Sequence, residues 1–187
     1  MAYFSNNELL EMGFSFIGEN VQVSRQSSIY NPENIILSDN CRVDDFCLLS
    51  GKIIIGQFVH ITPYCLLAGG TPGITLNDFS TLAYGTYIFT QSDDYSGETM
   101  TNSLIPTKYK NEKKEPVILE SHSIIGARST ILPGVTIAEG TAIGAMSLVL
   151  KSTLPWGIYA GIPARRIKER SKSMLKNHQK FISENKF

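Results

Sequence analysis

An all-β solenoid is the fold class this sequence predicts, and three observations predict it. Aliphatic residues recur six apart through most of the chain, small or β-branched residues recur four positions after most of them, and one long insertion interrupts an otherwise lightly broken rhythm. A period of six fits neither an α-helix at 3.6 nor a single strand alternating at 2, but it fits short strands separated by corners. Three sides per turn make a coil of 18 residues, and such coils stack at the interstrand spacing of about 4.8 Å.

The elements follow in chain order. Ser5 with Glu8 three residues on resembles a capping box, and Gly13 supplies a stop, so a short N-terminal helix is expected between them. The aliphatic ladder then runs Ile17, Val23, Ile29; Leu37, Val43, Leu49; Ile55, Ile61, Leu67; Leu76, Leu82, Ile88; Leu119, Ile125, Ile131; and Ile137, Ile143, Val149. These eighteen hexads make about six coils, a prism on the order of 25 to 30 Å tall. A second inward position, four residues on, carries Val21, Val59, Ser80, Thr86, Ser92, Ser129, Val135, Thr141, Ser147 and others. Cys41, Cys47 and Cys65 fall on it too, which reads them as small packing residues rather than ligands or nucleophiles.

Departures from the period mark surface loops: two extra residues near Ile35 and Ile36, three near Thr71 to Gly73, and a long insertion. The expected organisation is one domain over 1–187, with coils at 17–92 and 117–154, an inserted loop at 93–116 and a C-terminal segment with a helix at 155–187. The rhythm ends before Pro155, and Ala164 to about Glu184 reads as a basic helix covering the open end of the stack. That C-terminal stretch, Ala164 to Phe187, holds eight of the seventeen Lys and Arg residues and two acidic ones, which suits a solvated helix face or an anion site.

Bulk properties exclude several classes. Seventeen basic and seventeen acidic residues give zero formal charge, which points to no nucleic-acid partner. No run of about 18 apolar residues points to a membrane, and the N-terminus lacks a basic stretch followed by an apolar one. With three cysteines in no zinc or redox spacing, a cytoplasmic protein without a bound metal is expected.

The stretch IIGARSTILPGVTIAEGTAIGAMSLVLKSTLPWGIYAGIPARRIKER, Ile124 to Arg170, resembles the C-terminal part of the hexapeptide-repeat acyltransferases. The hexad theme shows at Ile55-Gly56, Ile125-Gly126 and Ile143-Gly144, and AGIPARRIK is similar to that family's closing signature. The resemblance implies a left-handed parallel β-helix, a homotrimer, and acetyl-CoA or another acyl-CoA as co-substrate in a groove between subunits. Through RVDDFCLLSG, Arg42 to Gly51, and SDDYSGE, Ser92 to Glu98, the chain further resembles the acyltransferases of nucleotide-linked amino sugars. Galactoside-type sugar O-acetyltransferases share the coil pattern, but their interrupting loop usually carries a histidine base. This chain has no histidine between His60 and His122.

Acyl transfer from a thioester needs a nucleophile near the carbonyl, a route for its proton, and stabilisation of the oxyanion. A hydroxyl needs a base, whereas a sugar amine titrates nearer the α-amino value of about 8 and needs less help. A carboxylate suits an amine: it attracts the ammonium form and can orient the amine or receive its proton. Asp94 is the foremost candidate, with Asp93 and Glu98 beside it, and His60 is an outward-facing alternative. Asp, Ser and Gly also make turns by default, so the acidic run has a purely structural reading. Tyr84, Gly85 and Tyr87, in the coil before the loop, are the candidate acceptor-binding residues. For the donor, Gly126, Ala127, Gly144 and Ala145 permit close approach of an extended pantetheine, and Lys151, Arg165 and Arg166 supply charge for phosphates.

The resemblance, with the missing loop histidine, implies N-acylation of a nucleotide-linked amino sugar for surface-glycan synthesis. Acylation of a saccharide hydroxyl is the alternative, and a non-catalytic or metal-binding β-helix is the reading from another class.

Overall fold

A computed structural model describes residues 2–185. The chain winds as a left-handed parallel β-helix of six coils, with a seventh begun at its C-terminal end. The three faces of the prism are the three parts of the aliphatic ladder. On the first face Ile17, Leu37, Ile55, Leu76, Leu119 and Ile137 pair rung to rung. On the second, Val23, Val43, Ile61, Leu82, Ile125 and Ile143 do so, and Tyr159 adds a seventh rung. On the third, Ile29, Leu49, Leu67, Ile88, Ile131 and Val149 align. Leu119 follows Leu76 on the first face, so the insertion between them leaves the register of the coils intact.

Almost all of these side chains are wholly buried, and the second inward position is filled by Cys41, Cys47, Cys65, Val59, Ser80, Thr86 and Ser129. Burial pushes the Cys41 thiol up to about 12, which suits a packing residue and not a nucleophile. Thr86 and Ser129 at this position return their hydroxyls to the backbone, to the Ala83 carbonyl at 2.7 Å and the Gly144 carbonyl at 3.0 Å, whereas the buried Ser80 hydroxyl has no partner.

Corners fall three residues after each ladder aliphatic, and at two of the three edges they form columns of left-handed residues. Asn20, Asn40, Phe58, Phe79, His122 and Gly140 make one column, between the first and second faces. Phe46, Tyr64, Gly85, Arg128 and Met146 make the other, between the second and third. From the second coil on, each of these corner N–H groups donates to a carbonyl of the coil below, for example Phe79 to Gln57 at 2.9 Å and Arg128 to Tyr84 at 2.8 Å. These bonds offset the cost of the left-handed backbone and lock the columns in register.

Both ends of the stack are covered. The helix α1 (Asn6–Glu11) starts at the expected capping box of Ser5 and Glu8, and its Leu9 is buried with Phe4, Met12 and Phe14 against the first coil. At the other end, Gly157–Gly161 and Ala164–Glu169 form an antiparallel hairpin. The basic helix expected from Ala164 therefore begins only at Met174, because residues 164–169 pair with a strand laid down a few residues earlier. Nor does that helix, α2 (Met174–Asn185), cover the end; its Phe181 and His178 lie edge-on against Phe79 of the first corner column.

This docking carries a pH dependence. Phe58, Phe79 and His122 stack in succession, with centroids 4.9 and 5.3 Å apart, and His178 meets the His122 ring at 4.7 Å. The Nδ1 atoms of His122 and His178 are buried without a hydrogen-bond partner. Burial and the facing His178, joined by Arg170 and opposed by Glu139 and Asp78, hold His122 below the usual imidazole range. The docked state thus prefers neutral His122, so docking is unimpaired above about pH 6.5 and weakens as pH falls below it. Hydrogen exchange, corrected for intrinsic rate, is expected to show α2 losing protection from pH 7 to 5, and His122→Phe to blunt that loss. Equal protection at both pH values in the native chain would refute this.

Candidate functional site

The second corner column gathers most of the residues expected to bind ligands. A depression of about 580 Å³ opens there, lined by Tyr64, Tyr84, Gly85, Tyr87, Arg128 and Thr130. All three expected acceptor residues thus line one cavity. Tyr84 and Tyr87 are largely exposed, and Tyr64 and Arg128, which were not expected, complete the wall.

The expected donor residues continue the same edge upward. Gly126 and Ala127 precede Arg128, Gly144 and Ala145 precede Met146, and the Met146 N–H donates to the Ala127 carbonyl at 2.8 Å. A Cβ on Gly126 would lie 2.4 Å from the Ala145 nitrogen, so the two coils close to this distance only because the residue is glycine. Ser129 and Ser147 point inward as expected, both donating to the Gly144 carbonyl.

At the C-terminal end of the stack, Lys151, Arg165 and Arg166 line a second depression of about 320 Å³ with Tyr159 and Ala164. The hairpin bearing the two arginines is tied to the corner by the Gly161 N–H, which donates to Ser147 Oγ at 3.2 Å. Arg166 is engaged by Glu169 at 2.6 Å, and Arg165 donates to the Ala164 carbonyl at 3.1 Å. A phosphate here would recruit a guanidinium already oriented, in exchange for an exposed ion pair worth little.

Asp93, Asp94 and Glu98 stand apart from both depressions on the inserted excursion. The chain leaves the coil earlier than expected: Gln91–Ser92 pairs antiparallel with Lys113–Lys114. Ser92 is accordingly half-exposed rather than inward, and the last buried residue before the exit is Thr90. Asp94 organises the excursion's first turn, accepting from the Ser96 N–H at 2.8 Å and from the Thr99 N–H and hydroxyl at 3.1 and 2.8 Å. The Ser96 and Thr99 donors hold its carboxyl down to about 2, so it is ionised throughout the working range. Asp94 is therefore a negative charge fixed in a turn by its own donors. Further along, Glu112 takes both Lys110 and Lys114, at 3.1 and 2.9 Å.

His60 lies elsewhere, on the second face. Its Nε2 is 2.9 Å from Asp44 Oδ2, while Asp44 Oδ1 accepts from Arg42 Nε at 2.6 Å. The Asp44 side chain is 3% exposed and the His60 side chain 39%, so a buried carboxylate orients an accessible imidazole. With Nε2–H held by Asp44, Nδ1 is the free nitrogen. Among the described residues no group of three or more His, Cys, Asp or Glu side chains could hold a metal.

Sequence reasoning missed Tyr64, Arg128 and Asp44. The first two carried a readable signal, since each follows a ladder aliphatic by three residues, as Gly85 does. Asp44 sits inside RVDDFCLLSG directly after inward Val43, but its burial depends on neighbours that local sequence does not show.

Comparison with known proteins places these features in context. No family model matches the chain. It is 39% identical over 178 residues to dTDP-4-amino-4,6-dideoxy-D-glucose acyltransferase of Escherichia coli, spanning 94% of this chain and 92% of that protein. It is similar in structure to AntD, an N-acyltransferase from Bacillus cereus solved with dTDP and 3-hydroxybutyryl-CoA, with a TM-score of 0.97, 43% identity, and 99% and 98% of the two chains covered. A variant of AntD solved with dTDP-4-amino-4,6-dideoxyglucose and coenzyme A superposes with a TM-score of 0.96 at 44% identity, covering 97% of each chain.

Proposed function

Since the chain belongs to the hexapeptide-repeat acyltransferases that modify nucleotide-linked amino sugars, we propose how its edge carries out that transfer. The protein is an acyl-CoA-dependent N-acyltransferase acting on a nucleotide-linked amino sugar. We take a dTDP-linked 4-amino-4,6-dideoxyhexose as its acceptor, by likeness to the relatives, and surface-glycan synthesis as its setting. The observation that carries the local reading is the shared corner column, where acceptor residues at Tyr84 and Gly85 lie one rung below donor residues at Gly126 and Ala127.

In this arrangement the donor's pantetheine follows Gly126, Ala127, Gly144 and Ala145, with its phosphates toward Lys151, Arg165 and Arg166. The neutral sugar amine attacks the thioester carbonyl, the C–S bond breaks, and the departing thiolate takes up the proton released by nitrogen. Asp94 attracts the ammonium form to its fixed turn, where one proton passes to bulk water, and then holds the neutral amine by accepting from its N–H, with Asp93 and Glu98 adding to the field. Its low proton affinity suits positioning rather than proton removal.

A homotrimer fits the excursion, whose Tyr95, Met100, Leu104 and Tyr109 are exposed apolar side chains on a segment that projects from the prism. Burying them against a neighbouring subunit would bring Asp94 to that neighbour's corner. Light scattering is expected to give three times the 20.7 kDa chain mass, and the chain mass itself would refute the trimer. No helix among the described residues is long and apolar enough to cross a membrane, and we place the enzyme in the cytoplasm.

The test is thiol release from acetyl-CoA and 3-hydroxybutyryl-CoA with dTDP-4-amino-4,6-dideoxyglucose and its 4-hydroxy counterpart. Turnover with the amine alone is the expected result. Turnover with the hydroxyl alone would transfer the reaction to an O-acylation, with His60 and its Asp44 partner as the available base.

A further inference from the structure

Two of the three free thiols in the core lie side by side. The Leu48 N–H donates to the Cys65 carbonyl at 2.9 Å and Leu48 pairs with Leu66, so Cys47 and Cys65, each one residue earlier, occupy neighbouring rungs of the same inward row. Both are 1% exposed, and their side chains hydrogen-bond to each other. Cys41 is as deeply buried, but its neighbours on the rungs below and above are Val21 and Val59.

Their surroundings make the two thiols unlike. Cys65 reaches toward the next coil, donating to the Ala83 carbonyl at 3.4 Å, while Cys47 donates to the Thr62 carbonyl at 3.1 Å. The Cys47 thiol first, and then the donors of Thr86, Thr62 and Gly85, favour the ionised form of Cys65 and hold it below the usual thiol range against its burial. Cys47, through its bond to Cys65 and its own burial, is held above that range. The turn over Cys65 runs from Ala83 to Thr86, and its Gly85 lines the depression of about 580 Å³ without placing a side chain over the core.

We infer that Cys47 and Cys65 form an oxidant-responsive pair, which hydrogen peroxide entering by the depression converts to a disulfide between the second and third coils. This stands apart from the nucleotide-sugar reading and adds to the packing role expected of these cysteines. Adjacent rungs are about 4.8 Å apart, inside the about 4.4–6.8 Å that separates the α-carbons of bridged cysteines. Side chains of one row point the same way, so the β-carbons close by only a few tenths of an ångström to reach the about 3.5–4.5 Å of a bridge. In the first step the Cys65 thiolate attacks one peroxide oxygen; the S–O bond forms, the O–O bond breaks, and the departing hydroxide takes back the proton that Cys65 released. In the second the Cys47 sulfur attacks the Cys65 sulfenic acid; the S–S bond forms, the S–O bond breaks, and the Cys47 proton leaves with the oxygen as a second water. Two thiols thus lose two electrons and peroxide gains them.

The test exposes the folded, reduced chain to hydrogen peroxide for timed intervals, quenches it with N-ethylmaleimide in denaturant, and maps the cysteines by mass spectrometry. Cys47 and Cys65 are expected to leave the alkylated fraction together, at least about tenfold faster than Cys41, and to reappear as one linked peptide pair that dithiothreitol separates. Serine already fills this row at Ser129 and Ser147, so it suits the variants. Cys47→Ser is expected to leave Cys65 as a sulfenic acid that dimedone captures, and Cys65→Ser to leave Cys47 alkylatable. Equal rates for all three cysteines would show that oxidation waits on unfolding, and a bridge to Cys41 or between chains would show that the rung does not select the partner; either result overturns the inference. So does full alkylation of Cys47 and Cys65 after an exposure that has oxidised the exposed Met100.

Discussion

Replacing Asp94 by asparagine is expected to lower kcat/KM for the nucleotide amino sugar by roughly 10- to 150-fold while leaving coenzyme A affinity unchanged. The magnitude is that of a hydrogen bond to a charged group, about 1.5–3 kcal/mol, lost between the carboxylate and the acceptor's amine. A larger effect would suit a general base, but the donors from Ser96 and Thr99 leave Asp94 with a carboxyl held down to about 2. Such a group binds a proton too weakly to remove one from an amine near neutral pH. The pH profile separates these roles. If the amine's own titration controls the rate, kcat/KM rises with pH and levels near the α-amino value of about 8, in the native enzyme and in Asp94→Asn alike. An acid limb that vanishes in the variant would make Asp94 the titrating base and overturn the positioning role, as would turnover within twofold of native.

Asparagine also disturbs the turn, since its amide can accept from Ser96 but cannot replace the second oxygen that takes both Thr99 donors. Thr99→Val removes one of those donors and leaves the charge, so it isolates the structural contribution. It is expected to retain most of the activity. A loss as large as that of Asp94→Asn would show that the turn, not the charge, was being measured.

The separation between what the residues declared and what they concealed follows the range of the interactions. The ladder was legible because inward and outward positions alternate locally within each short side of a coil, so burial writes itself into composition at a fixed period. The capping box of α1 was legible for the same reason, being closed within four residues. The hairpin at the C-terminal end was not. Arg165, Arg166 and Lys168 are exposed there, and the only burial at its return strand is partial, at Ala164, so no period marked residues 164–169 as a strand. The ligand column was concealed by a different means. Its backbone conformation tolerates Phe, Tyr, Gly, Arg and Met alike, so composition shows nothing, and the insertion sets Gly85 and Arg128 43 residues apart on adjacent rungs. The acidic run carries both a site reading and a turn reading; the turn is on view in its hydrogen bonds, while a meeting with an acceptor rests on the proposed trimer.

Gly126→Ala is expected to destabilise the fold by more than about 3 kcal/mol, the upper end of ordinary overpacking, for the addition of one methyl group. The three atoms nearest that methyl are the Ala145 nitrogen at 2.4 Å, the Gly144 carbonyl carbon at 2.7 Å and the Ile143 oxygen at 2.7 Å. All are backbone, so no side chain can turn aside, and the sixth coil must move away from the fifth. That movement pulls directly on the Gly126 N–H bond to the Ile143 carbonyl, now 2.8 Å. The Ile-Gly step of the hexad is thus a spacing device: the isoleucine fills the core and the glycine lets the next coil settle to hydrogen-bonding distance. Two comparisons sharpen the expectation. Gly144→Ala meets chiefly the Ala160 methyl, at 2.9 Å, which a small shift of the terminal hairpin relieves, so it should cost less. Gly85→Ala meets only Arg128 Cγ at 3.5 Å and should cost no more than the about 1–2 kcal/mol of a left-handed L-residue. Thermal unfolding would order them, with Gly126→Ala lowering Tm by roughly 6–12 °C for a chain of this size. A drop under about 2 °C would show that the coils are not held by this contact. Because the donor is proposed to lie along the same rung, coenzyme A affinity should fall with Gly126→Ala and hold with Gly85→Ala, tying the coil spacing that stabilises the prism to the groove that binds the thioester.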